Sequence, residues 1–253
     1  MLIGPIRASD PLGFSTRFTQ MEYLQAAHEL EAVAFIDDGR DSTAPSSLPT
    51  VREAGKSGLL FGMDTDPVVE GELAEKWHRV EDAMTEELAV VAQCRANGNC
   101  PPVAHRLMNI SAAAAGRSGR ARVGLINRAA DLAIRPISDE AQWGVADHWS
   151  APFETLLTNR GDCEDYAILK YAALLEAGIA KEDVKIVILK YSFPKQTHAA
   201  VATRVDGQWL LLDNRTLALV RDMDVRRAIP EFVLNHEGVK RFNWASRSRR
   251  VVS

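Results

Sequence analysis

Cys163 stands alone among three cysteines, in the string Arg160-Gly161-Asp162-Cys163-Glu164-Asp165-Tyr166. A glycine turn there runs into residues 163–177, where Ala167, Ile168, Tyr171, Leu174 and Leu175 share one stripe and Gly178 is a natural helix stop. A thiol at a helix N-terminus faces partial positive charge, which favours the nucleophilic thiolate. The N–H groups of that first turn are unpaired by the helix and can serve a developing oxyanion. A lone cysteine is more often a small buried apolar residue. Position alone therefore does not settle its chemistry; a base and an orienting group must come from elsewhere.

The segments VKIVILKY (184–191), HAAVATRV (198–205) and QWLLLD (208–213) read as strands, and Asp206-Gly207 between the last two is a hairpin turn. A two-residue turn pairs Val205 with Gln208, which sets Ala200 opposite Asp213 and His198 opposite Arg215. His198 and Asp213 are then diagonal neighbours on one face of one hairpin. A one-residue slip would part them. Nucleophile Cys163, base His198 and orienter Asp213 together follow the logic of triad enzymes. Asp147, His148 and Trp149 precede the nucleophile turn and are candidates to line the cleft. His148 is a rival base, but nothing in the sequence gives it a carboxylate, and it reads as a surface or structural residue.

Asp162, Glu164 and Asp165 crowd the thiol, and negative charge opposes its ionisation. One charge at ~4 Å in a partly buried site contributes roughly 4 kcal/mol, against about 0.3–2 kcal/mol from the helix terminus. Two accounts stand open. Asp162 can cap the helix with Glu164 and Asp165 in its first turn, or the three carboxylates can hold a hard cation such as Ca²⁺.

Three further elements must support this site. Residues 70–93, 103–115 and 120–134 read as helices; in the first, Leu73, Trp77, Val80, Met84, Leu88 and Val91 recur at three- and four-residue steps as core. Helices followed by an antiparallel meander make an α+β fold. Residues 1–58 read as a peripheral, partly mobile extension, with a helix over 20–36 and a Ser/Pro/Gly/Asp-rich linker after it. Cys94 and Cys100 flank Asn97-Gly98-Asn99 and allow a short disulfide loop, two idle thiols, or a zinc site with His105.

Composition narrows the class. The chain of 253 residues is 46% hydrophobic and 25% charged, with a net charge of −4. These values fit a globular protein and exclude a nucleic-acid binder, whose footprint is basic. The one basic run, 241–250, reads as a solvated tail. No stretch reaches the roughly 20 apolar residues of a membrane helix. The visible start lacks the apolar run of a secretory signal and by itself points to the cytoplasm.

The string WGVADHWSAPFETLLTNRGDCEDYAILKYAALLEAGI, followed by HAAVATRV and LLLDN, resembles the bacterial transglutaminase-like cysteine peptidases, including the LapG-type proteases. LLFG (59–62), Trp77 and the Cys94, Cys100 pair resemble that family's helical lead-in. The resemblance spans about 59–245 and implies a papain-like, transglutaminase-like domain over 59–253, with a nucleophile-bearing helix packed on the sheet. By position it implies Cys163 as nucleophile, His198 as base and Asp213 as acid, with Asp162 and Glu164 matching calcium-binding carboxylates and Asp165 a candidate to join them. It further implies a periplasmic address, a protein substrate such as a large biofilm adhesin, and an inhibitory membrane receptor. The expected activity is thiol proteolysis. Acyl transfer of transglutaminase type and a catalytically silent, Ca²⁺-responsive binding protein are the alternatives.

Overall fold

The computed structural model describes residues 58–193 and 195–249. The helix expected over 20–36, its linker and nearly all of the N-terminal extension lie outside the described residues. A 3-10 turn at Leu60–Gly62 precedes strand β1 (Thr65–Val68) and helices α1 (Glu72–Asn97), α2 (Pro102–Ala112) and α3 (Gly119–Ala133). Strand β2 (Arg135–Pro136) leads into α4 (Asp139–Trp143) and α5 (Pro152–Thr158); β3 (Arg160–Gly161) leads into α6 (Cys163–Glu176). There follow β4 (Val184–Ser192), β5 (Lys195–Val205), β6 (Gln208–Leu212), β7 (Val220–Arg221), β8 (Ala228–Asn235), β9 (Gly238–Phe242) and α7 (Trp244–Arg249). The fold is α+β: one antiparallel sheet in the order β1-β9-β8-β4-β5-β6-β7, plus the short parallel pair β2-β3.

Helix α6 is the centre of the molecule. Every residue from Asp165 to Leu174 is buried, so its stripe extends around the whole helix, as expected of a core element rather than a surface one. It packs on β5 and β4, and against α2, α3 and α5. Gly178 ends it as expected: its φ is 82°, and Ile179 N–H reaches back to Leu174 O at 3.1 Å. The expected stripe of α1 also buries, with Trp77, Val80, Met84 and Val91 inside and Leu73 and Leu88 packed at the edge.

Strand β5 explains why HAAVATRV lacks polar alternation. Ala199 and Val201 join the core beneath the helices, while Ala200 and Ala202 join a second core on the other face with Trp209, Leu211 and Phe242. Asp206 and Gly207 both take positive φ, 50° and 78°, the combination a type I′ turn demands. The ladder then runs from Val205↔Gln208 to Val201↔Leu212, the expected register.

Several expectations need correction. LLFG is not part of the helical lead-in: Phe61 packs edge-on to Phe242, ring centres 5.5 Å apart, in the second core. Nor is 241–250 a solvated tail throughout. Phe242 is buried in β9, the Arg241 guanidinium lies 4.9 Å from the Phe232 ring centre, and Trp244–Arg249 is helical. Counting arginines hid the buried Phe242. The three-strand meander is part of a wider sheet, because β1, β8 and β9 are adjoined from distant sequence. Cys94 and Cys100 form a disulfide, and Gly98 in the left-handed region ends α1 inside that loop.

Candidate active site

Cys163 is the first residue of α6. Asp162 caps the helix by accepting the Glu164 N–H at 3.3 Å, and Asp165 reaches back to the Asp162 N–H at 3.3 Å. This reciprocal capping box is the local reason the helix starts at the cysteine. Gly161 is required by proximity: a Cβ there would lie 2.5 Å from both Cβ and Oδ2 of Asp165. The turn and the first helical turn are thus pressed together.

His198 is only 4% exposed. Its Nε2 lies 2.9 Å from Oδ1 of Asp213, one residue beyond the end of β6. An imidazole that gives its Nε2 proton to a carboxylate leaves Nδ1 as the basic nitrogen. Burial resists ionisation of Asp213, but hydrogen bonds from His198 and Arg215 hold its carboxyl well below the usual carboxylate range. The diagonal relation expected from the turn is therefore realised.

The Cys163 thiol donates to Glu164 Oε2 at 2.8 Å and receives the Ala199 N–H. Burial first, and then the Glu164 carboxylate, push its pKa well above the ordinary thiol range. The sulfur is thus bonded to the residue next to His198. Among the described residues no hydrogen bond joins the thiol to His198 itself.

A second group lies behind the cap. One oxygen from each of Asp139, Asp162 and Asp165 falls within 4.8 Å of the others, and Asp162, Cys163 and Glu164 make an overlapping set. Burial, a hydrogen bond with Glu164 and neighbouring carboxylates push Asp162 up to about 9. Burial also lifts Asp165 to about 7 despite the Ser150 N–H it accepts, and raises Asp139. Capping accounts for Asp162 and Asp165. Asp139 starts a different helix and accepts the His148 N–H, and it lies 4% exposed beside two other carboxylates. Oxygen donors at this spacing suit a hard divalent cation, so the residues fit calcium. Asp147 instead forms an ion pair with Lys76, and Trp149 is buried in the core.

A family model for the bacterial transglutaminase-like cysteine proteinases matches residues 86–244, well over half of the chain. The chain belongs to this family. As a bacterial transglutaminase-like cysteine proteinase it is a cysteine protease of the transglutaminase-like superfamily. No curated protein matches it in sequence. Among solved structures, EGTA-treated Legionella pneumophila LapG is similar at 18% identity and a TM-score of 0.50, over 63% of this chain and 87% of that one. The calcium-bound form of LapG gives 18% and 0.49, over 62% and 87%. The likeness to the EGTA-treated form speaks to the fold alone.

Within the proteinase, two features escaped the sequence. His148 does have a carboxylate beside it: its Nε2 lies 3.3 Å from Glu154 Oε2, on α5, and its ring leans on Trp143 at 4.6 Å. That partner, six residues away, became visible only once α5 folded back. Asp139 carries no local signal either, being an ordinary first-turn acid 23 residues upstream of Asp162 in sequence.

Proposed function

We propose that residues 59–253 form a cysteine endopeptidase domain, with 1–58 outside it, that cleaves protein chains through Cys163, His198 and Asp213. His198 Nδ1 takes the Cys163 proton, and the thiolate adds to the scissile carbonyl carbon. The C–N bond breaks as His198 returns the proton to the leaving amine. His198 then deprotonates a water that hydrolyses the thioester, restoring the thiol and releasing the acid product. Asp213 keeps Nε2 protonated and the ring aimed, without itself taking the proton. The observation that carries this reading is the buried His198–Asp213 pair at 2.9 Å beside a helix-start thiol that Ala199 N–H contacts.

Calcium is part of the proposal. Asp139, Asp162 and Asp165 would hold it, with Glu164 on the thiol side of the cluster. Bound there, it supplies positive charge that offsets the carboxylates now opposing thiolate formation. The solved LapG structures in calcium-bound and EGTA-treated forms support testing it. The sequence resemblance supplies the rest of the proposal: a periplasmic enzyme that acts on a large adhesin under an inhibitory membrane receptor.

The test is cleavage of an unfolded reporter such as reduced casein, with and without Ca²⁺. Wild type should release peptides, and Cys163→Ala should not while melting at a similar temperature. Equal cleavage by the two proteins would end the proposal.

A further inference from the structure

Arg215 surrounds Asp213 to a degree that a surface loop does not require. Its backbone N–H reaches Oδ1 at 2.9 Å, its Nε reaches Oδ1 at 3.1 Å and Oδ2 at 3.2 Å, and its Nη2 reaches Oδ2 at 2.7 Å. Nη2 also donates to the Tyr191 hydroxyl at 2.6 Å, and the guanidinium carbon sits 4.8 Å from the Tyr191 ring centre. The circuit closes on the base itself, because the Tyr191 and His198 rings meet edge to face at 6.4 Å. The register explains that contact. His198 pairs with Leu189 across β4 and β5, so Tyr191, two residues on, is its diagonal neighbour on the same face.

We infer that Arg215, backed by Tyr191, is a positioning residue: it fixes the plane of the Asp213 carboxylate so that Oδ1 meets His198 Nε2. The inference rests on the reading of Cys163, His198 and Asp213 as the reacting set. A carboxylate bonded only to one imidazole can rotate about its Cβ–Cγ bond. Two nitrogens of one rigid planar fork remove that freedom. The Tyr191 phenol from β4 also faces this pair, and the Cys163 thiol from α6 lies on the Ala199 N–H next to His198. The buried Lys170 and Asp131, from α6 and α3, also act on Asp213 through space. None of these supplies a second fork.

Two variants separate geometry from charge. Arg215→Lys keeps the charge and loses the fork, while Arg215→Met loses both. The first readout is steady-state hydrolysis of p-nitrophenyl acetate, whose deacylation needs an aimed His198 but no peptide subsite, corrected for the Cys163→Ala background. Both variants should lower kcat by about tenfold or more, the scale of a misplaced reacting group, with KM little changed. Tyr191→Phe should lower it by a smaller factor. The second readout is the His198 Nε2–H resonance, by ¹H–¹⁵N NMR of histidine-labelled protein in a Cys163→Ala background, assigned with His198→Gln. Wild type should show a slowly exchanging Nε2–H held by Asp213, and both Arg215 variants should shift or broaden it.

A folded Arg215→Met with kcat within twofold of wild type and an unmoved His198 Nε2–H resonance would overturn the inference. A fall in melting temperature alone, with both readouts unchanged, would reduce Arg215 to a loop brace and overturn it equally. Asp213→Asn in the same assay separates the two levels. If Asp213→Asn is inactive and Arg215→Met is normal, only this inference fails. If Asp213→Asn is itself fully active, the reading of the reacting set fails.

Discussion

Oδ1 of Asp213 stands 2.9 Å from Nε2 of His198 across fifteen residues of sequence, and a two-residue turn is what closes that gap. The left-handed φ at Asp206 and Gly207 fixes the register, and the register puts both side chains on one face. The Ala199 N–H of the same strand meets the Cys163 sulfur, and the other alanines and leucines of the hairpin seat the pair in the core.

Asp213→Asn should therefore retain the hairpin but replace an acceptor-only carboxylate with an amide that can present a donor to Nε2, so the imidazole tautomer is no longer fixed. The expected result is a fall in kcat of roughly 10²–10⁴, as for other tautomer-fixing carboxylates, with a small change in melting temperature. Steady-state peptide hydrolysis at fixed pH measures it. Activity within about twofold of wild type, far from the effect of a lost orienter, would assign the base another partner.

The sequence made the hairpin and the helix start legible because both rest on local rules: turn chemistry, strand period and capping. It could not show Asp139, because that residue reaches the cap through the fold of α4 and not through spacing. It also placed Arg215 on the same face as Asp213 without giving it a task, since alternation fixes a face and not a hydrogen bond. The outer strands β1, β8 and β9 were hidden for a related reason. Their pairing is non-local, and the basic composition of 241–250 masked the buried Phe242.

Asp139 is the residue that separates capping from calcium binding. If Asp139, Asp162 and Asp165 hold Ca²⁺, adding it in excess should raise the melting temperature, because only the folded state binds. Asp139→Asn should remove most of that shift while leaving α6 capped. EGTA should suppress proteolysis, and Mg²⁺ should restore it poorly, since it demands a tighter octahedron. Differential scanning fluorimetry across a Ca²⁺ series reads this directly. An identical shift in wild type and Asp139→Asn would take Asp139 out of the site.

Gly161→Ala tests the close approach at the nucleophile turn. A Cβ placed 2.5 Å from Asp165 must push aside a fully buried carboxylate. A loss of about 1–3 kcal/mol in urea unfolding is expected, the usual cost of overpacking. Ca²⁺ affinity should weaken in parallel if Asp165 is a ligand. An unchanged unfolding midpoint would show that the turn yields freely.

Lys170 and Asp131 form an ion pair 2.7 Å apart, 1% and 9% exposed, in the centre of the helical layer. Burial lowers the lysine pKa and raises the aspartate pKa, and each partner opposes the other's shift. Lys170→Met alone should cost about 3–5 kcal/mol, since it strands a buried carboxylate. Lys170→Met with Asp131→Leu should recover most of that loss. Denaturant unfolding of the two variants decides it. A double variant no more stable than the single would show that the pair itself contributes net stability.

Glu87 gives a pH dependence remote from the reacting residues. It lies half-buried on α1, accepts the Phe153 N–H at 2.9 Å, and is pushed up to about 7, first by burial and also by the charge of Glu154, against that hydrogen bond. A carboxyl whose folded pKa lies above its unfolded value of 4.5 binds more protons in the folded state between those limits. Stability from this group is therefore present below about pH 4.5, falls as pH rises towards 7, and is flat beyond. Glu87→Gln keeps an acceptor for Phe153 and removes the charge. It should leave stability nearly unchanged at pH 4.5 and raise it at pH 8 by on the order of 1 kcal/mol, after allowing for solvent screening of a partly exposed group. Urea unfolding of both proteins at the two pH values measures the difference. An equal effect at both values would show that Glu87 does not titrate in this window.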